Sequence, residues 1–139
     1  MENIDLDRTI DSKKIYEGSI INVKIDNVLL KTGAKASREV VEHRPAVAIV
    51  PMDSENNVLL VRQYRHPAKS DLLEVPAGVI EIGEEPEIAA IRELREEVGY
   101  TSRDLRLLFG FWTSPGFTDE YIYGYLAKDL VEGKLPRDF

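Results

Sequence analysis

The stretch GVIEIGEEPEIAAIRELREEVGY, from Gly78 to Tyr100, constrains this chain more than any other, because it joins a glycine-punctuated loop to a helix marked at both ends. Gly78 and Gly83 offer backbone angles closed to other residues. Pro86 suits a first helical turn, and Gly99 suits the position just past the last. The residues between them are mostly good helix formers. At about 100° per residue, Glu87, Ala90, Ile91, Leu94 and Val98 fall on one side, which is expected to face the core. Glu93, Glu96 and Glu97 cluster beside that side, at the spacings that make helix side chains neighbours. Arg92 and Arg95 are expected on the flank away from the apolar face.

Like charges about 4 Å apart repel by roughly 4 kcal/mol at an effective dielectric of about 20, so the three acids call for a cation. Oxygen ligands with no cysteine or histidine nearby suit a hard divalent ion, Mg²⁺ or Mn²⁺. The other reading of a bare ExxEE is a solvated acidic helix face. The residues around it decide between the two.

Before the helix the chain reads as strands. Met1 to Lys14 is polar and is expected to be a loosely held arm. From Ser19 to Lys24 apolar and polar residues alternate, and Ile21, Val23 and Ile25 share a side. Val28 and Leu30 continue on the other phase, which predicts a bulge or turn at Asp26 and Asn27. Thr32 to Ala36 reads as a hairpin connection into a strand at Ser37 to Glu42. AVAIVPM and VLLVRQYR, joined by the turn-rich DSENN, predict an antiparallel pair of buried strands. At the end of that pair Arg65 offers a guanidinium fork suited to a substrate phosphate, against the alternative of a rim arginine paired with a surface acid. Glu74, on the strand Leu72 to Ala77, reads equally as a structural acid or as a group that reaches substrate. Further strands are expected at Leu105 to Trp112 and Tyr121 to Ala127, around the turn SPGFTDE. Trp112, Phe117 and Tyr121 are candidates to stack a base, and core packing is the favoured reading of Trp112.

Composition enters as a set of exclusions. A net charge of −7 argues against broad binding to nucleic acid or to an anionic membrane, while a small phosphorylated ligand remains compatible. The absence of cysteine removes disulfides and thiolate metal sites. No apolar run approaches membrane-spanning length and the start is no signal peptide, so a cytoplasmic location is expected.

The chain resembles the Nudix hydrolases. Gly78, Glu84, Arg92, Glu93, Leu94, Glu96, Glu97 and Gly99 match that family's signature loop and helix at every spacing, and Tyr100 departs only at a final aliphatic place. LLEVPAG before the box and TSPGFTDE after it, with Pro115 sixteen residues past Gly99, are similar to the ADP-ribose pyrophosphatase branch. The resemblance implies an α/β (α+β) fold, a mixed sheet sandwiched by helices, with an antiparallel strand pair ahead of it. Residues 1–44 are then an arm and dimerisation strands, and 45–139 the Nudix domain. It implies a small-molecule substrate, a nucleoside-diphosphate sugar, with ADP-ribose cleaved to AMP and ribose 5-phosphate as the leading expectation. Another linked diphosphate (NADH, a different nucleotide sugar, a dinucleoside polyphosphate) and a non-catalytic ADP-ribose sensor are the alternatives.

The same resemblance assigns Mg²⁺ (or Mn²⁺) to Glu93, Glu97 and the Ala77 carbonyl, with Glu96 joining through a second ion or a water. Arg92 orients the acids together with Glu84. Arg65, Arg38, Ser114, Gly116, Phe117 and Glu120 are the substrate-binding candidates. A homodimer through the N-terminal strands is implied, with partner residues lining the cleft. Relatives run further, through a loop that often supplies the general base, whereas this chain ends at LVEGKLPRDF. Either the chain is truncated or it is a shortened member, and Glu96 is the candidate base within the box.

Overall fold

A computed structural model describes residues 7–133. In chain order it holds strands β1 (Arg8–Glu17), β2 (Ile21–Leu29), β3 (Lys35–His43), β4 (Ala46–Pro51) and β5 (Val61–Arg65), then a 3-10 turn at His66–Ala68. There follow β6 (Ser70–Glu74), β7 (Ala77–Val79), helix α1 (Pro86–Val98), β8 (Tyr100–Trp112) and β9 (Tyr121–Glu132). The expectations at 1–6 and 134–139 lie outside the described residues. Among the described residues α1 is the one α-helix, so the mixed α+β architecture is present with more strand and less helix than a sheet sandwiched by helices. The chain divides into two compact units, one running to Arg44 and including Trp112–Glu120, the other made of the remainder.

In the first unit β1, β2 and β3 form an antiparallel sheet in that order. Within the described part of the expected arm, Arg8 to Lys14 is therefore strand. A turn at Gly18, whose N–H donates to Ile21 O at 3.0 Å, returns the chain so that β1 pairs along β2 from Glu17 opposite Asn22 to Arg8 opposite Leu29. The bulge expected at Asp26 and Asn27 is absent, and β2 runs unbroken against β3 from Ile21 opposite His43 to Leu29 opposite Lys35. The irregularities fall on β1 instead, between Thr9 and Asp11 and between Lys14 and Tyr16. β2 needs no slip because it is at least half-buried along its whole length, so apolar residues are tolerated on both phases. The 113–120 segment lies along β3: Val41 N–H donates to Phe117 O at 2.7 Å and Asp119 N–H to Val41 O at 3.2 Å.

In the second unit the nearly continuous apolar run Ala46–Pro51 becomes the buried strand β4, in a sheet ordered β7-β4-β9-β8. β7 pairs with it antiparallel and β9 parallel, the latter after a crossover that contains α1. The expected β4–β5 hairpin does not form. Asp53 organises the intervening turn, its Oδ1 accepting from the N–H groups of Glu55 and Asn57 at 2.8 Å, and pairing stops after the Met52–Val58 bridge. Both edges of β4 are taken by β7 and β9, so β5 pairs with β6 as a separate two-stranded ribbon.

The core of this unit gathers Val47, Ile49, Ile80, Ala89, Ala90, Leu94, Tyr125 and Ala127. Pro86 opens α1 and Gly99 closes it with φ 76°, its N–H donating to Arg95 O at 3.0 Å. The buried side of α1 is Ala89, Ala90, Glu93 and Leu94. Glu87, expected on that side, is exposed, and Glu93, an acid, stands within it.

Candidate functional site

β7 is an edge strand, and that fact builds the site. Ile49 N–H donates to Pro76 O at 2.8 Å and Ile80 N–H to Pro45 O at 2.9 Å, with Gly78 opposite Val47 between them. In an antiparallel ladder alternate residues turn their polar groups away from the partner strand, so Ala77 and Val79 present theirs on the outer edge. Helix α1 takes up that edge. Ala77 N–H donates to Glu97 Oε2 at 3.0 Å, and Arg92 Nη2 donates to Val79 O at 3.1 Å. The Ala77 carbonyl shares this outer edge. Between the two bonds, the carboxylate of Glu93 lies against the α-carbon of Gly78, in space that a Cβ would fill. Gly78 is therefore needed for close approach rather than for an unusual φ, whereas Gly83 does adopt φ 80°.

Arg92 is the hub of the acids, not a flanking residue. Its Nε and Nη2 grip both oxygens of Glu84 at 2.8 Å, its Nη1 donates to Glu93 Oε1 at 2.5 Å, and the same Nη1 stands 3.4 Å from Glu96 Oε2. The hydrogen bonds from Arg92, with a further one from Glu81 N–H, lower the Glu84 carboxyl from 4.5 to about 2. Arg92 is raised in turn, first by its bonds to Glu84. Glu93 is only 9% exposed, and burial of an acid to that extent requires such a partner. Glu96 is the outlying member, its side chain 50% exposed.

Glu97 differs in sign. Burial is the largest influence on it and raises its pKa, the Ala77 N–H opposes that, and the charges of Glu93 and Glu74 add to the rise. This corner of the site is short of positive charge. On the β5–β6 ribbon Arg65 lies against Glu74, with Nε to Oε1 at 2.9 Å and Nη2 to Oε2 at 2.6 Å, and the charge of Arg65 extends to Glu97. Sequence reasoning left the role of Glu74 open. The available signal was a pair of opposite charges on the two strands joined by the short HPAKS connection, although Glu74 stands opposite Val61 and Arg65 opposite Ser70.

The other substrate-side candidates belong to the first unit. There Val41, His43, Ser114, Phe117, Thr118 and Glu120 help to line a cleft of about 320 Å³. Thr113 Oγ1 donates to Glu120 Oε2 at 2.8 Å, and His43 Nδ1 stands 3.5 Å from Glu120 Oε1. Ser114 anchors the turn, its carbonyl accepting from the N–H groups of Phe117 and Thr118 at 3.1 Å. Arg38 and Gly116 do not line this cleft. His43 was passed over in the sequence because it stands alone there, and its neighbour Glu120 comes from a segment far along the chain. Trp112, expected to pack in the core, is 53% exposed.

A hard divalent cation fits the acids of the second unit. The donors are all oxygen, Glu93 and Glu97 both bear on the Ala77–Gly78 edge, and among the described residues no cationic side chain is bonded to Glu97. Among the described residues no three acids or histidines converge on one point, so the acids stand as an array along an edge rather than as a closed cage.

The NUDIX domain family model matches residues 42–138. The ADP-ribose pyrophosphatase of Bacillus subtilis is 41% identical over 124 residues, covering 89% of this chain and 67% of that protein. A protein of Bacillus methanolicus named methanol dehydrogenase activator is 42% identical over 124 residues, with the same coverage of 89% and 67%. A crystal structure of an ADP compounds hydrolase superposes with a TM-score of 0.86 at 26% identity, over 100% of this chain and 76% of that one. The chain thus spans about two thirds of the length of these curated relatives.

Proposed function

The chain belongs to the Nudix family, and from that premise we propose that it hydrolyses the diphosphate of a nucleoside-diphosphate sugar, cleaving ADP-ribose to AMP and ribose 5-phosphate. The observation that carries the proposal is that Glu93 and Glu97 are brought to one sheet edge, against Gly78 and the Ala77 N–H, with Glu96 beside them on Arg92. The names of the Bacillus subtilis relative and of the solved ADP compounds hydrolase support the choice of substrate.

Nudix hydrolases generally use divalent metal ions, and we assign Mg²⁺, ahead of Mn²⁺, to Glu93, Glu97 and the Ala77 carbonyl, with Glu96 at the margin. Such an ion supplies charge neutralisation at the phosphoryl oxygens and a lowered pKa for water. This chain's own residues do the rest. Arg92 fixes Glu93 and Glu84, Arg65 binds a phosphate oxygen, and the half-exposed Glu96 takes the proton of the attacking water. Ser114, Phe117 and Glu120 contact the nucleoside or terminal ribose, and Arg38 and Gly116 complete the substrate side.

A homodimer through the N-terminal strands is part of the proposal. Its support is that Ile10, Ile15, Tyr16 and Ile20 are exposed along β1 and the turn after it, while Val28 is the one buried hydrophobic side chain described in that sheet. A cytoplasmic location is proposed with the nucleotide substrate. A second reading comes from the Bacillus methanolicus relative, named as an activator of another enzyme: a domain that binds its nucleotide and acts on a partner.

The test is product release from a panel of nucleoside-diphosphate derivatives, ADP-ribose first, with Mg²⁺, with Mn²⁺ and with excess chelator. Chelator-sensitive formation of AMP and ribose 5-phosphate is expected. Silence across the panel with ADP-ribose still bound would favour the binding-only reading.

A further inference from the structure

Arg65 does not stand free to meet a phosphate. Val61, Gln63 and Arg65 share one side of β5 by strand alternation, and Glu74, paired with Val61, faces the same way. Arg65 reaches back along the ribbon past Gln63 to Glu74. Its Nε and Nη2 engage Glu74 as a fork, and Gln63 Nε2 donates to the same carboxylate at 3.4 Å. Nη1 is the one end of the guanidinium with no hydrogen-bond partner among the described residues. Both members of the pair act electrostatically on Glu97, so the ribbon's charges lie within reach of the acid array.

We propose that Glu74 is a positioning residue for the hydrolysis proposed above: it holds Arg65 along the ribbon by Nε and one N–H of Nη2, so that the end of the guanidinium, Nη1 with the other Nη2 N–H, is presented to a phosphate oxygen of the substrate. The inference rests on that function. An arginine left loose must give up rotamer freedom when it binds an anion, and one already held by a carboxylate has given it up beforehand. The planar fork makes the hold directional, since engaging Nε and one terminal nitrogen fixes where the other points. A carboxylate on Arg65 also weakens its attraction for phosphate, so the arrangement helps binding only if orientation outweighs the lost charge. The sign of one substitution decides this.

The experiment is a double-mutant cycle on the full chain: wild type, Arg65→Ala, Glu74→Gln and both together. Turnover of ADP-ribose gives KM and kcat, and calorimetry gives the affinity for ADP. Glu74→Gln is expected to raise KM, and the Kd for ADP, by about fivefold while kcat changes much less, a size set by the partial exposure of the pair. Glu74→Asp, which keeps the charge one methylene short, is expected to fall between. The double variant is expected to be no weaker than Arg65→Ala alone, because Glu74 acts through Arg65. Losses that multiply in the double variant would overturn the proposal, as would unchanged or tighter ADP binding by Glu74→Gln, the latter meaning that Glu74 competes with phosphate. Wild-type protein that binds ADP but does not cleave ADP-ribose would remove the function, and the cycle in ADP affinity would still judge Glu74. Wild-type protein that binds no ADP would overturn both.

Discussion

Replacing Gly78 by alanine places one methyl group where the carboxylate of Glu93 lies, since the three atoms nearest to the added carbon all belong to that carboxylate. The backbone at Gly78 has no positive φ, so alanine meets no conformational barrier there. What yields is the end of the Glu93 side chain, and with it the 2.5 Å bond to Arg92 Nη1. Losing a hydrogen bond between charged groups costs about 1.5 to 3 kcal/mol, and the glycine-to-alanine change returns about 0.4 to 1 through the unfolded chain. A net destabilisation of about 1 to 2 kcal/mol is expected, or roughly 3 to 8 °C in Tm. Turnover of ADP-ribose should fall by about 100-fold or more, because an error of about 1 Å in a catalytic group carries that cost. Gly83→Ala is the control: φ 80° makes it lose about 1 to 2 kcal/mol, yet nothing lies within 4 Å of its added methyl group, so turnover should stay within a few-fold of wild type. Thermal unfolding and initial rates on the two variants check both halves. If Gly78→Ala hydrolyses ADP-ribose as Gly83→Ala does, the close approach of Glu93 to β7 has no part in the reaction.

Two further outcomes follow from the acids. Glu97→Gln should abolish turnover while raising stability at neutral pH. Burial lifts the Glu97 pKa above 4.5, so the ionised form is disfavoured in the fold and its penalty is present above that range and absent below it. Denaturant midpoints at pH 7 and pH 4 check this, and a lower midpoint for Glu97→Gln at pH 7 would contradict it. Glu84 has the opposite sign: its folded pKa of about 2 lies below the ordinary 4.5, so its stabilisation is complete above 4.5 and is lost as pH falls toward 2. Acid unfolding of Glu84→Gln should therefore be shallower across that window than that of wild type, and equal slopes would contradict the pairing with Arg92.

The helix and its acids were legible in the sequence because their signals are local: Pro86 and Gly99 mark the ends of α1, and the spacing of Glu93, Glu96 and Glu97 depends on one helix alone. The pairing of strands was less so. AVAIVPM and VLLVRQYR looked like hairpin partners because a short turn joins them, but β4 is claimed on one side by β9, about seventy residues later, and on the other by β7. Nothing local reports a competitor that distant. The burial of Glu93 was hidden for the same reason: periodicity places an acid at the margin of the apolar face, and only the missing Cβ of Gly78 on another element lets it turn inward. The part of the expected arm that lies in β1, Arg8 to Lys14, illustrates a further limit, since a strand exposed on both sides carries no burial pattern to read.

An edge strand ordinarily leaves N–H and C=O groups unpaired and open to aggregation. β7 is short, and the outward Ala77 N–H and Val79 carbonyl are met by Glu97 and Arg92, the side chains that also build the candidate site. Stability and chemistry therefore rest on the same bonds. Arg92 closes the edge, neutralises Glu84 and Glu93, and keeps three acids together that would otherwise repel each other. Glu97 is the exception, held by one backbone N–H and pushed toward protonation by its surroundings. That imbalance is what a divalent cation would relieve, which is why the acid least stabilised by the fold is the one on which hydrolysis is expected to depend most.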